Sequence, residues 1–177
     1  MAALFVILIR LIIPISIFRW PLVGSILSML ADGADVILVD VFSKFLGEPS
    51  GFGSDYHFLD KWLDLYYFSF QFYVSLGWKD VLAKRTSITL FIFRLAGSII
   101  FELTHIRKIL FFFPNLFENF FLYYLVVKKY FPRLIPKTFP SLALILFLLY
   151  IPKFFQELIL HYLQLQPWNW FKETFLS

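Results

Sequence analysis

A chain of 177 residues that is 60% hydrophobic and 16% charged, with a mean hydropathy of +0.76, lies outside the composition of water-soluble domains, in which roughly half the residues are apolar. Cysteine is absent, which excludes disulfides, thiolate metal sites and cysteine nucleophiles. The net charge of +4 comes mostly from lysines and arginines that cap apolar runs, so it reads as membrane orientation and no nucleic-acid partner is expected.

Apolar runs of about 17 to 25 residues can cross a bilayer as helices. Taken in chain order they are Ala2–Phe18, Pro21–Leu46, Tyr56–Leu76, Ser87–His105, Ile109–Tyr130 and Ser141–Leu163. The first lacks a basic leader region and a small-residue cleavage site, so it is expected to be a retained helix rather than a signal peptide. Breakers separate most of the others: Arg19-Trp20-Pro21, Gly47 through Gly51, Gly77-Trp78-Lys79-Asp80, and Pro132 through Pro140. Trp20, Trp78, Trp168 and Trp170 fall at span ends, where indoles favour the headgroup layer, and Gln166–Ser177 is expected to rest on that surface. The expected fold is therefore all-α: one polytopic membrane domain over residues 1–177, a compact bundle of six transmembrane helices.

Arg19, then Lys79, Lys84 and Arg85, then Lys128, Lys129, Arg133 and Lys137 mark the first, third and fifth connections. This positive bias places those connections in the cytoplasm and both termini outside, in a cell membrane.

The polar residues inside the spans carry the functional expectation, because an ionised side chain at the bilayer centre costs about 2.5 to 3.5 kcal/mol even on translocon scales. At about 100° per residue they gather into stripes. Span two aligns Ser25, Ser28, Asp32 and Asp35, with Asp40 at the shoulder; span three aligns Asp60, Asp64 and Gln71. Span four aligns Ser87, Arg94, Ser98, Glu102 and His105. Span five offers Asn115, Glu118 and Asn119, and span six Lys153, Glu157, His161 and Gln164. Such faces turn toward one another and away from lipid. By depth, the acids form a cup over a basic floor of Arg10, Arg94 and Lys153.

A plainer role weighs against each residue singly. Asp55, Asp60 and Asp64 suit the positive end of a helix. Asn115 and Glu118 follow Pro114 and suit a helix start. Arg94 and Glu102 suit a brace between helices. His57 reads as a surface histidine.

Asp32-x-x-Asp35 and Asp60-x-x-x-Asp64 each put two carboxylates on one helix face. Side by side they offer an oxygen-rich metal site for magnesium or another divalent cation, able to hold and polarise a phosphate. Arg94 and Lys153, with Glu102, Asn115 and Glu118, would line the substrate site, and Glu157, His161 and Asp64 would manage protons.

The two aspartate pairs resemble the pattern of the CDP-alcohol phosphatidyltransferases, six-helix membrane enzymes with Asp-Gly-x-x-Ala-Arg, eight residues, then Gly-x-x-x-Asp-x-x-x-Asp. Asp32-Gly33 resembles the opening and Asp60-x-x-x-Asp64 the close. Val36-Ile37 stands in place of Ala-Arg, Tyr56 in place of the later glycine, and the gap is longer. The resemblance covers Asp32–Asp64 and is one of chemistry. It implies a metal-dependent transferase acting on a polar lipid headgroup or isoprenoid phosphate.

Two other readings stay open. Arg10 with Arg94, Asp32-x-x-Asp35 with Asn115-x-x-Glu118, and Asp60-x-x-x-Asp64 with Glu157-x-x-x-His161 pair the two halves of the chain. That is the inverted-repeat plan of transporters, and would suit a cation, proton or small solute. The third is a noncatalytic membrane subunit whose polar faces meet a partner or a second copy. Membrane lipids are the expected partners in every case.

Overall fold

A computed structural model describes residues 1–47, 56–106 and 108–163. Expectations for Asp55, Gln164, Trp168, Trp170 and the surface-bound Gln166–Ser177 lie outside the described residues, as do those for the side chains of His57 and His161. The described residues are helical with turns and no strand. Helix α1 spans Ala2–Ile12 and runs into a 3₁₀ segment, Ile13–Phe18; α2 is Pro21–Gly33, α3 Asp35–Leu46, α4 Tyr56–Leu76 and α5 Val81–Thr104. The short α6 is Lys108–Phe112, α7 is Leu116–Tyr130 and α8 is Phe139–Glu157, which ends in a π-helical turn, Leu158–Tyr162.

Among the described residues two helices, α5 and α8, are long and apolar enough to cross a membrane, and the pair α2 and α3 makes a third if counted as one span bent by 64°. Six such helices were expected; the sequence breaks most of the others. Pro14, which has no N–H to donate, converts the first span to 3₁₀ geometry after eleven α-helical residues. The weak helix former Gly33 lies at the bend between α2 and α3. Pro114 separates α6 from α7.

Two helices begin earlier than the apolar pattern indicates, because polar caps start them. The Ala83 N–H donates to Asp80 Oδ1 (2.9 Å), so α5 starts six residues before Ser87. Thr138 and Ser141 form a reciprocal capping box at the start of α8.

Two compact units divide the chain. Unit 1 comprises Met1–Ile88 and Phe121–Ile135. Gly24 permits the backbone of the 3₁₀ segment to close onto α2, where an added Cβ would stand 2.6 Å from the Ile17 nitrogen. Tyr66 Oη donates to the Leu11 carbonyl (3.2 Å) just ahead of the 3₁₀ segment. Trp78, expected at the headgroup layer, is instead buried against Phe121 and Tyr124 (ring centroids 5.4 and 4.0 Å).

Unit 2 comprises Thr89–Phe120 and Pro136–Ser177. Its buried apolar side chains include Leu110, Phe117, Phe120 and Leu142. Gly97 is where the break after α6 approaches α5, since an added Cβ would lie 2.2 Å from that of Phe113.

Large apolar side chains face outward along most elements: Leu4, Phe5 and Leu8 on α1, Val23 and Leu30 on α2, Ile92 and Ile99 on α5, Leu144, Phe147 and Leu148 on α8. Arg10, Asp35, Asp64, Gln71, Arg94, Lys153 and Glu157 are buried. This is the reverse of the usual distribution in a water-soluble protein.

Candidate functional site

In unit 1 the four aspartates meet on one arginine. Arg10, in the last turn of α1, is 4% exposed. Its Nη1 donates to Asp35 Oδ2 (2.7 Å) and Asp60 Oδ1 (2.8 Å), and its Nη2 to Asp64 Oδ1 (2.9 Å) and Asp32 Oδ1. Asp32 closes α2, Asp35 opens α3, and Asp60 and Asp64 sit one turn apart on α4. A single guanidinium thus ties four helices together. Its planar fork of five N–H donors suits this better than an ammonium would.

Lys61 completes the group, donating to Asp60 Oδ2 (2.8 Å) and Asp64 Oδ2 (3.0 Å). Four carboxylates against one guanidinium and one ammonium leave these six side chains with a formal charge of −2. Asp32 is the most open of the acids, its side chain 33% exposed, while Asp35 is at 7%.

A carboxylate oxygen from each of Asp32, Asp60 and Asp64 lies within 4.8 Å of the others. Oxygen ligands of magnesium and calcium stand about 2.0 to 2.6 Å from the ion, so opposed ligands are about 4 to 5 Å apart. The trio fits that spacing. Asp35, the fourth expected ligand, is outside the trio and faces Arg10 Nη1.

Arg10 was expected in a basic floor beneath the acids and instead stands among them. The signal was a lone arginine in an otherwise apolar first span, which needs a buried counter-charge. Lys61 was missed; its i, i+3 spacing to Asp64 was the available clue.

Unit 2 uses its polar residues differently. Pro114 interrupts the chain between α6 and α7, and Arg94 Nη1 donates to the Phe113 carbonyl at the break (2.8 Å). Asn115 caps α7: the Glu118 N–H donates to its Oδ1 (3.4 Å), and its Nδ2 donates to Glu118 Oε2 (3.0 Å). Glu157 of α8 accepts from the Asn115 backbone N–H (3.2 Å) and pairs with Lys153 (3.5 Å), which also donates to Gln156 Oε1 (3.0 Å). Two carboxylates near a helix N-terminus complement its dipole.

Of the expected substrate-site residues, Asn115 and Glu118 join Glu157 in capping the start of α7, and Lys153 pairs with Glu157 on its own helix. Arg94 holds the backbone at the same break. Glu102 is half-buried and makes no ion pair with Arg94. His161 lies in the π-helical turn. Within unit 1, Asp32, Asp35, Asp60 and Asp64 gather on Arg10; within unit 2, Glu118 and Glu157 gather on Asn115 at the start of α7.

No protein family, curated protein or solved structure matches this chain. The functional reading rests on the residues themselves.

Proposed function

We propose that this chain is an integral membrane protein of six membrane-embedded helical segments, several of them broken, that binds a divalent cation in unit 1. Through that cation it takes the phosphate of a polar lipid headgroup or isoprenoid, as a metal-dependent membrane transferase or phosphotransferase. The membrane assignment is supported by the outward apolar side chains and the buried charges. The cation assignment is carried by one observation: three carboxylates converge where six charged side chains sum to −2. Asp32, Asp60 and Asp64 would hold the ion, with Arg10 fixing their orientation. A bound divalent ion supplies Lewis-acid polarisation of a phosphoryl oxygen. The loops after the first, third and fifth segments face the cytoplasm in this reading.

Melting of the detergent-solubilised protein with magnesium or manganese tests it. The wild type gains several degrees, by the mass action of a ligand bound only to the folded state. Asp32→Asn and Asp64→Asn lose most of that gain. Equal responses in all three remove the cation. A second reading, a noncatalytic subunit in which Arg10 is the permanent counter-ion, is favoured by the four ion pairs of that arginine and predicts the equal response.

A further inference from the structure

Hydroxyls inside apolar helices ordinarily return to a carbonyl about one turn back. Here Ser28 donates to Gly24 (2.8 Å), Ser75 to Phe72 (2.7 Å) and Thr86 to Leu82 (2.8 Å). Ser25 and Ser87 do not. Both are 0% exposed, and neither hydroxyl has a hydrogen-bond partner among the described residues. The same holds for both amide atoms of Gln71, also 0% exposed. Four buried polar atoms of unit 1 thus stand without a protein partner, each bearing the desolvation cost of its group.

The topology brings Ser25 and Gln71 to one level. Phe18, just before α2, packs its ring on Phe70 and Tyr73 of α4 (4.9 and 5.6 Å), whereas Asp32 at the other end of α2 shares Arg10 with Asp64. The two helices therefore run antiparallel. Ser25 lies seven residues before Asp32 and Gln71 seven after Asp64, about 10 Å from the acids along both helices at 1.5 Å per residue. Residues 77–80 connect α4 to α5. Gln71 lies five residues before the end of α4, and Ser87 is six after the start of α5.

We propose that Ser25 and Gln71 hold ordered water, forming a hydrated polar layer inside unit 1 about 10 Å from the acidic group. The donors and acceptors are neutral, so the layer has no charge to select an ion. The Ser25 hydroxyl and the two amide atoms of Gln71 supply the two to four polar partners, about three on average, that an internal water requires. The layer gives water a station within the helices that carry the acids, and it does not depend on a metal binding there.

Radiolytic hydroxyl-radical footprinting of the full chain in detergent tests this, because internal water generates radicals beside side chains that bulk solvent does not reach. Tyr67 and Phe68, each 3% exposed, precede Gln71 by four and three residues and share its helix face. We expect them to oxidise at least about threefold faster than Phe117 and Phe120 of unit 2, which are 0% exposed, as an internal water beside only one pair requires. Oxidation of Tyr67 and Phe68 at the rate of the unit 2 pair overturns the proposal. Gln71→Met gives a second readout that does not depend on radical chemistry. A hydrated glutamine predicts a lower melting temperature, because the water loses partners; a rise would mean a dry, unsatisfied amide and would also overturn it.

Discussion

Unit 1 and unit 2 are built from similar parts: a buried arginine on one apolar helix, a break in the next apolar segment, and a carboxylate on a third helix. In unit 1 the arginine binds side-chain carboxylates, and the acids outnumber the cations. In unit 2 the arginine binds a backbone carbonyl, and the acids are spent on the N-terminus of α7 and on Lys153. The same residue types thus yield an electrostatic centre with charge to spare in one unit and a repaired helix break in the other. What differs is the partner that the break exposes. Near Gly33 the chain offers two aspartates to the guanidinium, whereas at Pro114 it offers a carbonyl and helix N–H groups that need capping.

The largest test of this contrast is Arg10→Met. It removes the cation common to four carboxylates, and breaking a buried ion pair from one side typically costs about 3 to 5 kcal/mol. Denaturant unfolding in detergent should register that loss. Adding Asp32→Asn and Asp64→Asn to Arg10→Met should restore more than half of it, because the orphaned charge is then reduced. A loss within error for Arg10→Met alone would show that the arginine is not the hub.

A smaller effect is expected in unit 2. Glu157→Ala should cost about 2 kcal/mol, the scale of a hydrogen bond to a charged group. Glu157→Gln should cost less, since its amide oxygen still accepts from Asn115. Neither should change the response of melting to magnesium. A metal response that disappears with Glu157→Gln would erase the distinction between the units.

The smallest stability change should follow Lys61→Gln. Its side chain is half-buried between Asp60 and Asp64, and the glutamine amide still donates to one of them, so the loss should be about 1 kcal/mol. Yet it takes the six-residue group from a charge of −2 to −3, so manganese should bind more tightly, as read by titration. Weaker manganese binding would count against the carboxylate trio as the cation site.

Much of the site was legible along the chain because helical periodicity fixes which residues share a face. Asp60 and Asp64 at i, i+4 were read together and are found together on α4, whereas Asp32 and Asp35, read as one helix face, lie on either side of the bend between α2 and α3 and meet only at Arg10. The cap at Asn115 was also visible, since an Asn after a proline with a Glu three residues on is a helix-start pattern. The role of Arg10 was not legible. Periodicity says which way a side chain points on its own helix, and nothing about which residues of distant helices meet it.

The sequence by itself determined the apolar composition, the helical class, the breakers that shorten the spans, and the stripes that bury charge. These are local properties, set by side-chain volume, backbone conformation and a 3.6-residue period. Only the tertiary structure decided which partners the buried acids meet within each unit. It also decided that Arg10 stands at the centre of the aspartates, and that Arg94 and Glu157 serve a helix break. The physical reason is that counter-charges choose partners by distance in space, across 22 to 54 residues of chain for Arg10 and its four aspartates. Helix packing sets those distances, and no spacing along the chain encodes them.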